Sequence, residues 1–274
     1  MGIVWKDVII REIDIMEKVI FIRKAENVHK VLDDYNRIYF GEEFCENRLQ
    51  EPEDFKAVQQ IVKGRNKALT CVFPYLTDKG INKLDETLEL IDVDNEGLEI
   101  VANDWGTVYH LRRLYPNINV IPGRLLNKIK RDPRIKSAEE FLDEKTYDIF
   151  KNSNLLTNSS LKFLKSQNIK AIEFDYPMQG LNLKETDLNY YVHFPVGYIS
   201  TGRHCIFNPS VFKSGHDYKC NAKLCEKVTL KEENEAFSAR VYQKGNTVFY
   251  YNNSIIYEEL FEMGFERIIE HNGL

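Results

Sequence analysis

LEIVANDWGTVYHLRRLYPNINVIPG, residues 98–123, is the stretch on which the fold turns. Its opening LEIVAN is an apolar run short enough to be a buried strand. Asn103 and Asp104 then offer helix-capping side chains, and WGTVYHLRRLY spaces its apolar residues at helical intervals. INVIPG returns to a buried strand and ends on Pro-Gly. Strand, helix and strand at this length make the repeating unit of a parallel sheet.

The same texture extends to both sides. KVIFIR (18–23), RIYFG (37–41), ALTCVFPYL (68–76), AIEFDY (171–176) and YYVHFPVGYIS (190–200) read as further strands, with NLLT (154–157) a weaker one. Amphipathic stretches lie between them, among them AENVHKVLDDY, PEDFKAVQQIVKG, DKGINKLDETLELI, SAEEFLDEKTYDIF and SSLKFLKSQN. Eight strands with intervening helices predict an α/β chain, a (β/α)8 TIM-barrel-like fold, with an open doubly wound sheet as the competing architecture. From about residue 226 the texture changes to short alternating strands around a Lys244-Gly245-Asn246 turn, followed by a final helix, SIIYEELFEMGFERIIEH. The expected organisation is a barrel-like domain over 1–225 and a small C-terminal strand-and-helix extension over 226–274.

Composition agrees with a globular chain. The 274 residues are 43% hydrophobic and 29% charged, with a net charge of −5 that does not favour a dedicated nucleic-acid binder. No apolar run reaches the length of a membrane span, and MGIVWKDVIIREIDIMEKV lacks the charge pattern and small-residue site of a signal peptide. A soluble, cytoplasmic protein is expected.

The five cysteines carry the chemistry. An odd number in a chain without an export signal does not suggest a disulfide framework. Cys71, inside ALTCVFPYL, reads as a small buried hydrophobe. Cys45 follows the strand RIYFG, while Cys205, Cys220 and Cys225 form a C-x14-C-x4-C array in loop-like sequence. In a barrel the C-terminal strand ends share one face, so Cys45 and Cys205 could meet there. Four thiolates hold zinc or an iron–sulfur cluster, and this one-plus-three spacing suits a cluster better than the paired knuckles of zinc. Arg48, Arg203, Lys219 and Lys223 would offset the thiolate charge. The alternative is four unligated cysteines.

With these residues in view, a resemblance emerges. YFGEEFCENR, the 98–128 segment LEIVANDWGTVYHLRRLYPNINVIPGRLLNK, and PVGYISTGRHCIF together resemble the collagenase-like peptidase family U32, in its branch of oxygen-independent ubiquinone biosynthesis. The matches run in order over residues 37–225. The closing C-x4-C is one residue wider than the family's, and the segment after residue 226 has no counterpart. The resemblance implies a barrel holding a [4Fe–4S] cluster on Cys45, Cys205, Cys220 and Cys225, with zinc the alternative. It also implies a heterodimer with a similar family member and a hydroxylation that does not use molecular oxygen. Relatives hydroxylate RNA bases, and prephenate is the oxygen donor suggested for several. The peptidase label is a family name; no H-E-x-x-H, G-x-S-x-G or Walker loop is present, and proteolysis is not expected.

Three other positions are candidate catalytic residues. Asp104 ends a strand, where barrels place active groups, or merely caps the following helix. Arg124 follows INVIPG and could bind a carboxylate such as that of prephenate. One of Glu173 and Asp175 is expected to point into the barrel, where a buried carboxylate needs a partner. His204 and His216 are weaker candidates for proton relay. The expected function is an oxygen-independent hydroxylase or a subunit of one, acting on a small molecule. A non-catalytic cluster- or zinc-stabilised partner subunit and an RNA-modifying enzyme are the alternatives, the acidic balance weighing against RNA.

Overall fold

The computed structural model describes residues 17–132, 134–203, 228–232, 239–252 and 254–271, with Cys205, Cys220, Cys225 and Phe237. Seven strands follow in chain order: β1 (Glu17–Ile22), β2 (Arg37–Gly41), β3 (Ala68–Phe73), β4 (Leu98–Ala102), β5 (Asn119–Pro122), β6 (Ala171–Asp175) and β7 (Asn189–His193). Four more, β8 (Val196–Thr201), β9 (Leu230–Glu232), β10 (Arg240–Lys244) and β11 (Thr247–Tyr251), make a separate antiparallel sheet in the order β8-β11-β10-β9. The last strand, β12 (Arg267–His271), pairs in parallel with both β1 and β7. The large sheet therefore runs β5-β4-β3-β2-β1-β12-β7-β6, all parallel. Its ends, β5 and β6, come side by side, and side chains cross the seam. Asn127 Nδ2 donates to the Glu173 carbonyl at 3.0 Å, and Arg124 donates to Asp175. This is the (β/α)8 TIM-barrel-like fold that the strand count predicts.

Three details differ from the sequence reading. NLLT is a single 3-10 turn, Asn154–Leu156, because Ser153 and Thr157 cap successive turns on either side of so short an apolar run. YYVHFPVGYIS divides into β7 and β8, with the Phe194–Pro195 peptide, which is cis, between them. Proline has no N–H for a ladder, so it suits a break between strands. The terminal helix is short, Tyr257–Glu262. Gly264 then takes a positive φ of 95° and turns the chain into β12. A boundary at residue 225 leaves this eighth barrel strand outside the barrel domain.

Helices α1 (Val28–Val31), α2 (Pro52–Lys63), α3 (Asp78–Leu90), α4 (Trp105–Leu114), α5 (Glu144–Ile149), α6 (Asn158–Ser166) and α7 (Tyr257–Glu262) connect the strands. Pro52 at the start of α2 and the Glu51–Asp54 capping box fix where that helix begins. It buries Phe55, Val58 and Val62, and Phe55 meets Phe40 of β2 and Phe73 of β3 at 5.0 and 5.2 Å. Each such side chain contributes about 1.5–3 kcal/mol on burial.

Alternate strand residues point inward and fill the barrel in three levels. At the N-terminal end, Glu17, Arg37, Glu99 and Arg267 form a closed ionic ring: Arg37 reaches Glu17 and Glu99 at 2.9 and 3.0 Å, and Arg267 reaches them at 2.6 and 2.7 Å. Arg267 also stacks on Tyr191, 3.8 Å from its ring centre. Val19, Phe21, Tyr39, Val72, Val101, Ile121 and Ile269 make the middle level. The C-terminal level is polar again. Over it lies the antiparallel sheet, whose Val196, Tyr198 and Phe249 pack with Phe44 and Leu125 from the loops after β2 and β5.

Candidate functional site

The C-terminal ends of the strands deliver one charged side chain after another to the covered mouth. Arg23 follows β1, Glu42 and Glu43 follow β2, and Arg124 follows β5. Glu173 and Asp175 lie on β6, His193 ends β7, and His271 ends β12. Arg124 is wholly enclosed. Its Nε and Nη2 donate to the two Glu43 oxygens at 2.5 and 2.7 Å, while Nη1 donates to Asp175 at 2.6 Å and to the Val196 carbonyl at 2.9 Å. Arg131 donates to the second Asp175 oxygen at 2.7 Å. Burial opposes a charge on Arg124, but Glu43 and Asp175 outweigh it and hold the guanidinium firmly protonated.

Glu173 is placed differently. Its Oε2 lies 3.1 Å from His193 Nε2, and His193 Nδ1 lies 2.9 Å from His271 Nε2. Burial, then the neighbouring Glu43 charge, raises the Glu173 carboxyl well above the usual carboxylate range. Burial, then Arg124, pushes both histidines well below theirs. Burial thus favours the uncharged form both of Glu173 and of the imidazole it meets.

Glu43, His193 and His271 also bring ligand atoms within 4.8 Å of one another, the makings of a divalent-metal triad. Arg124 argues against that use. It donates to both Glu43 oxygens, and its Nη2 lies 3.3 Å from His271 Nε2, so a cation already serves the groups that would hold a metal ion.

Beyond this level the four cysteines gather. Cys220 acts electrostatically on Cys45; Cys205 acts on Cys220; and Cys225 is within hydrogen-bonding reach of both Cys205 and Cys220. Burial, followed by Glu42, pushes the Cys45 thiol up to about 11. Burial and the two neighbouring sulfurs push Cys225 up to about 12, and burial, then Cys205, shifts Cys220 upward against its hydrogen bond with Cys225. Arg48 is the cation that favours the thiolate at all three. The Gly245 turn between β10 and β11 lies against Arg48 and Cys225. Beside Cys45 is a cavity of about 140 Å³ lined by Phe44, Glu46, Asn47, Tyr75, Arg203 and Asn246. Arg203 stands over the Tyr75 ring at 4.9 Å, and Asn246 ties the cavity wall by donating to the Phe44 and Gly202 carbonyls, both at 2.7 Å.

The structure separates the candidates named from sequence. Cys205, Cys220 and Cys225 neighbour one another and Cys220 neighbours Cys45, all four as free thiols, whereas Cys71 is buried on β3. Asp104 caps α4: it accepts from Thr107 N at 2.7 Å, Thr107 Oγ1 at 2.6 Å and Leu76 N at 3.1 Å. Arg124 reaches the mouth, but it is fully buried and its partners are protein carboxylates and the Val196 carbonyl. Glu173 and Asp175 both point inward, since residues two apart on a strand share a face. His204 and His216, like Lys219 and Lys223, lie outside the described residues. Glu43, His193 and His271 are not among the residues singled out from sequence. Their signal was a polar residue at inward parity where a strand's apolar run ends, as in YYVH.

Fold and site together define a filled (β/α)8 barrel with an ionic mouth and neighbouring free thiols beyond it. No protein-family profile and no curated protein matches the sequence. Among solved structures the chain is similar to a U32 peptidase, Mk0906, with 11% identity, a TM-score of 0.48, and coverage of 94% of this chain and 92% of that one. It is also similar to a Group IV chitinase of Ostrinia furnacalis, at 10% identity, TM-score 0.35, and coverage of 93% and 91%. A GH18 chitinase of Cycas revoluta follows at 7% identity, TM-score 0.36, and coverage of 93% and 94%. A shared activity does not follow at these similarities, and the function is read from the chain's own side chains.

Proposed function

We propose that the chain is an iron–sulfur protein of UbiV-like type that catalyses or supports an oxygen-independent hydroxylation, with a [4Fe–4S] cluster on Cys45, Cys205, Cys220 and Cys225. The observation that carries this reading is that Cys45, remote in sequence, lies near the Cys205, Cys220 and Cys225 array beyond the barrel mouth. The donor set fits such a group. Buried thiols that raise one another's pKa give up their protons readily only to a cationic core, and Arg48 offsets part of the charge that results. Bound there, the cluster would supply one-electron chemistry or a coordination position for a substrate.

The chain's own residues supply the rest. The cavity beside Cys45 suits a small molecule or part of one, and Arg203 is the lining cation that can pair with its carboxylate. A prephenate-like acid acting as oxygen donor meets that requirement. Tyr75 fixes Arg203 by stacking, and Phe44, packed against Tyr198 and Phe249 of the small sheet, walls the cavity off from the ionic mouth. A heterodimer with a similar subunit belongs to the same reading. A partner subunit in which the metal only stabilises the fold is the second reading, and it rests on the same four thiols.

The test is anaerobic purification with measurement of iron, acid-labile sulfide, zinc and absorbance near 400 nm. About four irons and four sulfides per chain are expected, lost in Cys45→Ala and Cys220→Ala. Stoichiometric zinc without iron would favour the structural reading, and absence of both metals would overturn the proposal.

A further inference from the structure

We propose that Glu173, His193 and His271 form a buried store for one proton, whose occupancy follows the electron count of a cluster on the four cysteines; this rests on the iron–sulfur reading above. The three side chains come from β6, β7 and β12, which are neighbours in the sheet. They make an unbroken hydrogen-bonded line of 3.1 and 2.9 Å. At the ends of the line, Glu173 Oε1 and His271 Nδ1 are buried without a hydrogen-bond partner among the described residues, and the Tyr39 hydroxyl lies beside the Glu173 carboxyl.

Pairing singles out Glu173 among the acids of the mouth. Glu42 is paired with Arg23 and Arg48, Glu43 with Arg124, and Asp175 with Arg124 and Arg131. Among the described residues Glu173 has no arginine ion pair; its titratable hydrogen-bond partner is the His193 ring. The groups facing the line are Arg23, Tyr39, Glu43, Arg124, Asp175 and Arg267. Burial raises Glu43 as well, but its two hydrogen bonds to Arg124 oppose its protonation, and Glu173 has no such pair, so the mobile proton is assigned to this line. It can sit on Glu173 or on an imidazole without changing the total.

A charged path connects the line to the thiols. Arg48, which acts on Cys45, Cys220 and Cys225, is 3.3 Å from Glu42. Glu42 is 3.4 Å from Arg23, and Arg23 acts on both histidines. An electron passed to the cluster from a low-potential one-electron donor adds negative charge at one end of this path. One proton from water then joins the Glu173 carboxylate as a new O–H bond. Oxidation reverses both transfers.

The experiment is a potentiometric titration of the loaded protein with dithionite and mediators at several pH values between about 6 and 10, the range in which buried glutamates titrate. Within part of that range the midpoint potential should fall by up to about 59 mV per pH unit, one tenfold change in proton activity. The slope should vanish in Glu173→Gln and shrink in His271→Gln. A flat wild-type profile, or an unchanged slope in Glu173→Gln, overturns the store. Infrared difference spectra of the metal-free protein separate this from failure of the cluster reading. The carbonyl stretch of a protonated carboxylic acid, present in wild type and missing in Glu173→Gln, supports the store whatever metal is found. Its absence from wild type overturns the store.

Discussion

Arg124 and Asp104 show how far a residue type in a loop can be read. Both follow apolar strands, and both carry groups able to act on a substrate. Arg124 instead satisfies Glu43 and Asp175, and removing it leaves the enclosed Glu43 without its cation and Asp175 with Arg131 alone. Arg124→Ala is expected to cost about 3–5 kcal/mol of stability, seen as a lowered urea midpoint. Loss of activity at full stability would instead place Arg124 in ligand binding. Asp104→Ala is expected to cost about 1 kcal/mol through the lost cap of α4, with Asp104→Asn close to wild type. An Asp104→Asn variant as stable as wild type but inactive would restore a catalytic role. The burial of Cys71 was legible because it sits inside an apolar run. Glu43 and His193 were not, because a single polar residue ending an apolar run does not show which neighbouring strand will meet it.

At the scale of elements, periodicity recovered the first seven barrel strands and the helices between them, since each strand is buried on both faces and reads as a short apolar run. It failed where two elements share one run. In FEMGFERIIEH, apolar residues satisfy a helical and a strand pattern alike, and Gly264 alone divides them. The consequence is testable, because β12 joins β1 to β7 and carries His271. A fragment ending at residue 225 lacks that strand and opens two parallel edges in the middle of the sheet. It is expected to be aggregated or unfolded by circular dichroism and gel filtration. A monomeric fragment with native helix content would show that the barrel closes without β12.

Across the whole molecule, the ionic ring at one end of the barrel and the ionic mouth at the other enclose a thin apolar level. No sequence period encodes such an arrangement, since the partners come from strands as far apart in sequence as Glu43 and Arg124. The two ends respond differently to pH. In the ring, Glu99 is held below the usual carboxylate range despite its burial, because Arg267 and Arg37 flank it. It therefore stabilises the fold at neutral pH and ceases to do so as acid protonates it. Glu173 has the opposite sign: its folded pKa lies above the unfolded value of 4.5, so its contribution is full below pH 4.5 and is lost as pH rises toward the folded pKa. Glu173→Gln removes that dependence. The stability of the variant relative to wild type should therefore rise with pH above 4.5, by about 1.4 kcal/mol per unit, until the wild-type carboxyl ionises. Urea denaturation of both proteins at a series of pH values measures the difference directly. A constant difference would mean that Glu173 is already ionised at pH 4.5 in the folded protein, and that the line from Glu173 to His271 carries no proton to exchange.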